Sequence, residues 1–370
     1  MSFDFLGSEQ TIFSNPNALD PDFIPKLLPH REEQQNYVAS AIKPLFHERN
    51  GKNVLVWGAP GIGKTAASKR VLKDLDEVDS DKKINQVFIN CWKFNTTYKI
   101  LCEVSRQFGY PFTQTMRTNE VMEKVAEKVE KFDGVVFVFD EIDKAEDYNF
   151  LYFILEEFPR RTIILITNEK DWGVDVDDRI RSRLIPETLE FKPYTPREVF
   201  NILAERKKYA FYENTWDSKA FAELAEKAAE YEDIRVGIKL MKVAGEIAEN
   251  ESTAKVVVAH VSEAIARIDE FKIKSSADLT DEDKFILSLC EKHNGQRFGV
   301  VYGAYENTGG VKSKKTFRRK LERLQLRKLI TLETGGIGLT GRSTIIHHIG
   351  LKKRNNIIKE KTEHKALDEF

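Results

Sequence analysis

Hydrophobic positions along the chain fall into three successive regimes. In the first, short runs rich in Val, Ile and Phe stand out at Asn53–Trp57, Gln86–Asn90, Val135–Phe139, Thr162–Thr167 and, more weakly, Glu187–Phe191. Near-continuous apolar runs of this length read as strands buried on both faces, as in a parallel sheet. Stretches with helical spacing, such as Lys64–Glu77 and Asn119–Lys131, separate them. The alternation predicts a three-layer α/β domain over residues 1–192, ending where Pro193 and Pro196 interrupt the pattern. Residues 193–274 form the second regime, which is helical in character. Thr195-Pro-Arg-Glu198 is a capping box with proline at the first helical position. Further helices are expected at Asp217–Tyr231, Ile234–Asn250 and Val257–Lys272, making a small bundle.

A polar link, Lys274-Ser-Ser-Ala-Asp278, leads into the third regime, residues 275–370. Here the pattern predicts a helix capped by Thr280 and running to Lys292, then a second over Gly299–Asn307. A turn at Gly309-Gly310 precedes a third helix from about Ser313 to Lys328. Two β-prone runs, Leu329–Glu333 and Ser343–His348, flank a glycine-rich stretch that ends at Arg342. That order of elements is the order of a winged helix-turn-helix. The charged tail, Lys352–Phe370, reads as a solvated helix.

Composition narrows the field. With 41% hydrophobic and 32% charged residues, the 370-residue chain can build cores, and general disorder is excluded. No apolar run approaches the ~20 residues of a membrane span. The N-terminus lacks the basic and apolar regions of a signal peptide. Cys91, Cys102 and Cys290 are odd in number and lack metal-ligand spacing, which argues against a disulfide scaffold or a zinc site. A soluble, cytoplasmic, nucleoid-associated protein is expected. The net charge of −1 hides an asymmetry: residues 277–370 carry 19 basic against 12 acidic side chains, whereas the remainder carries 39 against 47. An acidic body with a basic end suggests that the end meets a polyanion.

The strongest chemical signal is Gly58-Ala-Pro-Gly-Ile-Gly-Lys-Thr65, which follows an apolar strand and opens a helix. This is the phosphate-loop pattern in its proper context. Its glycines let backbone N–H groups approach phosphates at a helix N-terminus. Residues Gly58, Pro60, Gly61, Ile62, Gly63, Lys64, Thr65 and Ala66 are therefore assigned to ATP or ADP. Lys64 reaches the β- and γ-phosphates and Thr65 ligates Mg²⁺. The strand Val135–Phe139 ends in Asp140-Glu141. Asp140 is assigned to the hydrated Mg²⁺, and Glu141 to orienting or deprotonating the attacking water. Asp143 reads as structural. Asn168, at the tip of the next strand, fits either a turn or a group that positions the lytic water. Arg179, Arg181 and Arg183 are candidates for an arginine acting on a γ-phosphate, and equally fit a solvated helix face.

Taken in order, Gly58–Thr65, Asp140-Glu141, Asn168, Ser182-Arg183 and Arg235 resemble the AAA+ ATPases, and specifically the archaeal origin-recognition and cell-division-control initiators. Leu28-Pro-His-Arg-Glu-Glu33 resembles the stretch that family places against adenine, which implies nucleotide roles for His30 and Arg31. The long segment after Ile89-Asn-Cys91 resembles the initiators' helical insertion. Asp233-Ile-Arg235 resembles their second sensor, although Glu232 stands where the family often has glycine. The resemblance implies that Asn168 is the first sensor, that Arg235 is the second, and that Arg183 is the arginine finger acting on a neighbour's ATP. It also implies an AAA+ core, a helical lid and a winged helix.

For nucleic acid, nine basic residues between Lys312 and Lys328 face one acid, Glu322. Lys314, Lys315, Arg318, Arg319 and Arg323 are candidate DNA contacts on a helix that can enter a major groove. Arg342, near the wing tip, is placed for a minor groove. By resemblance alone, Arg117 in the insertion makes a further contact. Adjacent His347 and His348 point to opposite faces of a strand and do not form a metal pair. The implied function is a replication initiator that binds origin duplex DNA, uses ATP and Mg²⁺ in a slow switch, and helps load an MCM-type helicase, with other initiator subunits on DNA as further candidate partners. The alternatives are a branch-migration motor and a signalling ATPase whose winged helix binds proteins.

Overall fold

The computed structural model describes residues 11–81, 83–129, 131–277, 281–310, 313–326, 329–338 and 341–348. The chain divides into two compact units between Ile265 and Ala266. Among the described residues no helix is long and apolar enough to cross a membrane.

The first unit opens with α1 (Glu32–Ile42), β1 (Val54–Trp57), α2 (Lys64–Val78) and β2 (Ile84–Asn90). The insertion expected after β2 folds as α3 (Thr97–Gln107) and α4 (Thr118–Val129). There follow β3 (Gly134–Asp140), α5 (Asn149–Glu157), β4 (Arg161–Thr167), α6 (Asp178–Leu184) and β5 (Glu187–Glu190). The strands form one parallel sheet in the order β2-β3-β4-β1-β5. Every residue of β3 is buried. The two-residue period of a strand explains why: Val135, Phe137 and Phe139 pack with residues of α3, α4 and α5 on one face, while Val136 and Val138 pack with α1 and α2 on the other. This order also fixes the functional end of the sheet. The helix after β1 (α2) packs on one face of the sheet and the helix after its neighbour β4 (α6) on the other, and ligands of open α/β sheets sit at the carboxyl ends of strands beside such a switch.

The first unit is completed by α7 (Pro196–Ala210), α8 (Ser218–Glu230), α9 (Ile234–Asn250) and the part of α10 (Val258–Ala277) up to Ile265. Both hydrogen bonds of the Thr195–Glu198 capping box are present, and Asp217 and Asp233 cap α8 and α9. Two features depart from the sequence reading. Residues 11–23, counted there with the α/β core, run along the helical bundle: Phe13 bridges to Phe211, Ile12 donates to Glu249 and Arg206 donates to the carbonyls of Ala18 and Phe23. The polar link expected from Lys274 is instead helical through Ala277. Serine costs a helix interior only roughly half a kcal/mol against alanine, so a long helix runs through Ser275-Ser276.

The second unit contains α11 (Asp281–Lys292), β6 (Gln296–Arg297), α12 (Phe298–Asn307), α13 (Lys314–Leu326), β7 (Ile330–Gly338) and β8 (Gly341–His348). The strands pair antiparallel in the order β6-β8-β7, and the elements follow the order expected for a winged helix-turn-helix. The two-residue β6 is too short to leave a periodic signal. The glycine-rich stretch between the two β-prone runs is mostly strand, with an irregularity between Thr334 and Ile337 that absorbs Gly335-Gly336. The core is Ile286, Leu289, Val301, Tyr305, Phe317, Leu321, Leu324, Ile330 and Ile346. Thr280 and the tail Lys352–Phe370 lie outside the described residues.

Candidate nucleotide site and basic helix

At the carboxyl end of the sheet, residues of the phosphate loop, β3, β4 and the lid line a cavity of about 390 Å³, within the range of small-molecule sites. Pro60, Gly61, Gly63, Lys64, Thr65 and Ala66 lie on its wall with Asp140, Glu141, Asn168 and Arg235. Gly58 and Ile62 do not; both are buried behind the loop. Gly63 precedes α2 with a φ of 92° in the left-handed region, where glycine carries no side-chain penalty. Lys64 donates to the carbonyls of Gly58 (2.7 Å) and Ala59 (2.8 Å) and to Asn168 Oδ1 (2.9 Å). Because β4 lies between β1 and β3, Asn168 stands at its tip between the lysine and the acids.

Thr65 Oγ1 lies 3.0 and 3.1 Å from the two oxygens of Asp140. Burial pushes the Lys64 ammonium down to about 8, against the opposing attraction of Asp140. Burial also raises the Asp140 carboxyl, opposed by the hydrogen bond from Thr65. Both charges are thus short of compensation, and phosphate with a divalent cation would supply it. Glu141 takes a left-handed backbone, with φ of 55° and ψ of 45°, a costly conformation for a non-glycine residue. Asn90 Nδ2 donates to its carboxylate at 3.4 Å. Asn90 is a site residue that sequence reading passed over as part of a strand. The signal was a polar residue at the carboxyl end of β2, in register with Asp140. Asp143 accepts from Thr167 Oγ1 at 2.9 Å, in keeping with a structural reading.

His30 and Arg31, the pair expected against a base, stand just before α1. Neither is among the residues lining the cavity. Arg31 is 5% exposed and donates to the carbonyls of Ile62 (3.0 Å), His30 (3.2 Å) and Lys192 (2.7 Å). Its guanidinium carbon lies 3.9 Å from the Tyr194 ring centroid. Arg31 therefore buttresses the phosphate loop from behind. His30 Nε2 lies 3.2 Å from Asn201 Nδ2. The wall away from the phosphate loop is built instead by Pro21-Asp22-Phe23-Ile24, Arg206 and Ile238. Burial lowers the Arg206 guanidinium to about 10, and its bonds to the Ala18 and Phe23 carbonyls hold this segment on α7.

Arg235 reaches the cavity from α9 while paired with Asp233 through Nε (3.0 Å) and Nη2 (2.7 Å). The α6 arginines do not reach it. Arg179 pairs with Asp177 and Arg181 with Asp178, while Arg183 donates to Glu156 at 2.5 Å and lies over Tyr152. Arg117 is exposed just before α4, and its backbone N–H donates to Glu120.

In the second unit, Lys314, Arg318 and Arg319 are exposed on α13. Lys320 is not: it turns inward to Glu282 (3.0 Å) and Asp283 (2.8 Å) of α11. The side chains of Lys315, Arg323 and Arg342 fall outside the described set. The backbone of Arg342 pairs with Ile337, close to the end of the hairpin.

Two family models match the chain, an AAA domain over residues 47–170 and a Cdc6 AAA+ ATPase-type lid domain over residues 200–266. An ORC1-type DNA replication protein 1 from Archaeoglobus fulgidus is 33% identical, over 83% of this chain and 80% of its own length. The chain belongs to the ORC1-type DNA replication protein family. Another ORC1-type relative, from Sulfurisphaera tokodaii, is 31% identical over 98% of this chain and 94% of its own. The Aeropyrum pernix ORC1 protein, solved in complex with DNA, matches with a TM-score of 0.70 over 92% of this chain and 94% of its own, at 24% identity. In this ORC1-type chain the two matched domains share the cavity: the AAA segment supplies Lys64, Thr65, Asp140, Glu141 and Asn168, and the lid segment supplies Arg206, Arg235 and Ile238.

Proposed function

We propose that this ORC1-type AAA+ ATPase is a replication initiator that binds origin duplex DNA and uses ATP as a switch of slow turnover. The observation that carries the reading is the convergence of Lys64, Thr65, Asp140, Glu141, Asn168 and Arg235 on one cavity shared by core and lid. Lys64 leaves the carbonyls of Gly58 and Ala59 to grip the β- and γ-phosphates. Thr65 and Asp140 hold Mg²⁺, which when bound neutralises charge on the phosphate oxygens. Glu141 orients and accepts a proton from the attacking water, with Asn90 setting its starting position. Asn168 and Arg235 sense the γ-phosphate from the core and the lid. Arg183 lies outside its own cavity, so it serves a neighbouring subunit. Lid position then reports nucleotide state.

The division of labour is an ATPase core to residue 192, a lid to residue 274 and a winged helix beyond. Arg318, Arg319 and Lys314 hold phosphates or base edges of the duplex; Lys315, Arg323 and Arg342 are further candidate contacts, and Arg117 a second contact. The loaded partner is an MCM-type helicase, and the setting is the cytoplasmic nucleoid. The basic face of α13, together with a family relative solved on DNA, supports the duplex partner. The test is duplex binding by the full chain, with and without ATP, across a salt series. Salt-sensitive binding that favours origin fragments and responds to ATP is the expected result. Absence of duplex binding would hand the winged helix to a protein partner.

A further inference from the structure

The loop and the lid meet at one point that no assigned role uses. Gly61 has a φ of 77°, and a β-carbon built on it would lie 2.1 Å from Asp233 Oδ1. The backbone N–H of Ile234 also donates to the Gly61 carbonyl at 3.3 Å. Asp233 therefore sits directly on the phosphate loop, and only the missing side chain of Gly61 gives it room. The same carboxylate caps α9 by accepting from the Arg235 backbone N–H at 3.0 Å. It also takes the Arg235 side chain through Nε and Nη2 at 3.0 and 2.7 Å. That fork leaves Nη1 with no hydrogen-bond partner among the described residues, although Arg235 lines the cavity.

We propose that Asp233 is a positioning residue: seated on Gly61, it fixes the plane of the Arg235 guanidinium so that its remaining edge meets the terminal phosphate of ATP. The physical ground is pre-organisation. A long arginine, with its side chain 60% exposed, would otherwise lose rotamer freedom on gripping a phosphate. A planar fork already held on one edge loses less. The carboxylate's charge is itself compensated by the arginine and by the N-terminus of α9. Anchoring Asp233 on the phosphate loop, and not on the lid alone, ties the arginine's aim to the place where the phosphates lie.

The proposal rests on Arg235 being the lid's phosphate sensor, and the experiment separates the two. Affinities for ATP and ADP are measured by fluorescent-nucleotide displacement on the full chain for wild type, Asp233→Asn, Asp233→Ser, Arg235→Ala and Asp233→Asn/Arg235→Ala. Asparagine and serine both cap helices well, so α9 keeps its start. The expected result is a fall of about tenfold in the ATP-to-ADP affinity ratio for each single variant, the order of one charge-assisted hydrogen bond. ADP affinity should be little changed, and the double variant should be no worse than Arg235→Ala. A ratio that rises in Asp233→Asn, or stays at the wild-type value while Arg235→Ala lowers it, overturns the role of Asp233 alone. Equal losses of ATP and ADP affinity overturn it too, since they mark a merely structural contact. An unchanged ratio in Arg235→Ala removes the sensor reading and this proposal with it.

Discussion

The nucleotide cleft and helix α13 are both cationic, yet they hold their charges in opposite ways. In and just behind the cleft, three cations are fixed. Lys64 is 7% exposed and has three oxygen partners, Arg31 is 5% exposed with three carbonyls, and Arg235 lies in a two-bond fork. On α13, Arg318 has a long pairing to Glu322 at 3.5 Å and Arg319 none among the described residues, while Lys320 is tied down by Glu282 and Asp283. A site that does chemistry must place a few groups closely, and burial makes each one count. A surface that binds a polyelectrolyte needs positive charge near phosphates, and each charge adds a similar small share. Mutations in the first should therefore be large and little affected by salt. Those in the second should be modest, near-additive and dependent on salt.

The largest expected effect tests the first half of that contrast. Glu141→Gln should keep nucleotide binding and lose turnover by about 10²–10⁴-fold, the range for removing a general base. Phosphate release and nucleotide affinity measured on the same preparation check it, and wild-type turnover would take Glu141 out of the mechanism. Lys64→Ala should weaken ATP binding by roughly tenfold to a hundredfold, the loss of charge-assisted bonds to phosphate; full-affinity binding would remove the phosphate-loop assignment. On α13, Arg318→Ala with Arg319→Ala should flatten the slope of log K against log salt by up to about 1.8 if both touch phosphates. An unchanged slope would place the duplex surface elsewhere.

Two smaller effects sharpen the account of burial and strain. Lys64 has its folded value lowered to about 8 from 10.5, so the unfolded chain binds a proton that the folded one releases between those values. Its charged form opposes folding fully below pH 8, and the penalty fades as pH rises toward 10.5. Lys64→Met should therefore be more stable than wild type at pH 7 in nucleotide-free buffer, with the difference shrinking by pH 10; urea titrations at both pH values read this directly. Glu232 has a φ of 54° in the left-handed region, a conformation that costs a side-chain-bearing residue about 1 kcal/mol. This gives a physical reason for the glycine often found before the second-sensor Asp. Glu232→Gly should accordingly be neutral to about 1 kcal/mol more stable, whereas a clear loss in urea melts would show that Glu232 makes a compensating contact.

The sequence by itself determined a good deal of this protein. The apolar runs marked all five strands of the parallel sheet, most clearly β1, β3 and β4, which are buried on both faces and leave an unbroken signal, and more weakly the half-exposed β5. The phosphate loop, Asp140-Glu141 and the capping box at Thr195 were legible because their chemistry is local: neighbouring residues supply the turn, the cap or the paired acids. Only the tertiary structure decided the functions of side chains whose partners are distant in sequence. Arg31 holds the carbonyls of Ile62 and Lys192 from behind the loop, partners that lie far from it in sequence. Lys320 reads as one more cation of a basic helix, yet it is bound to Glu282 and Asp283. Asn90 stands out in the sequence only as part of the stretch before the insertion, and Pro21–Ile24 carries no motif; both reach the cavity because sheet order and lid packing bring them there. A charged side chain takes its role from whichever oxygen, ring or solvent meets it, and for these residues the partner is set by how the elements pack.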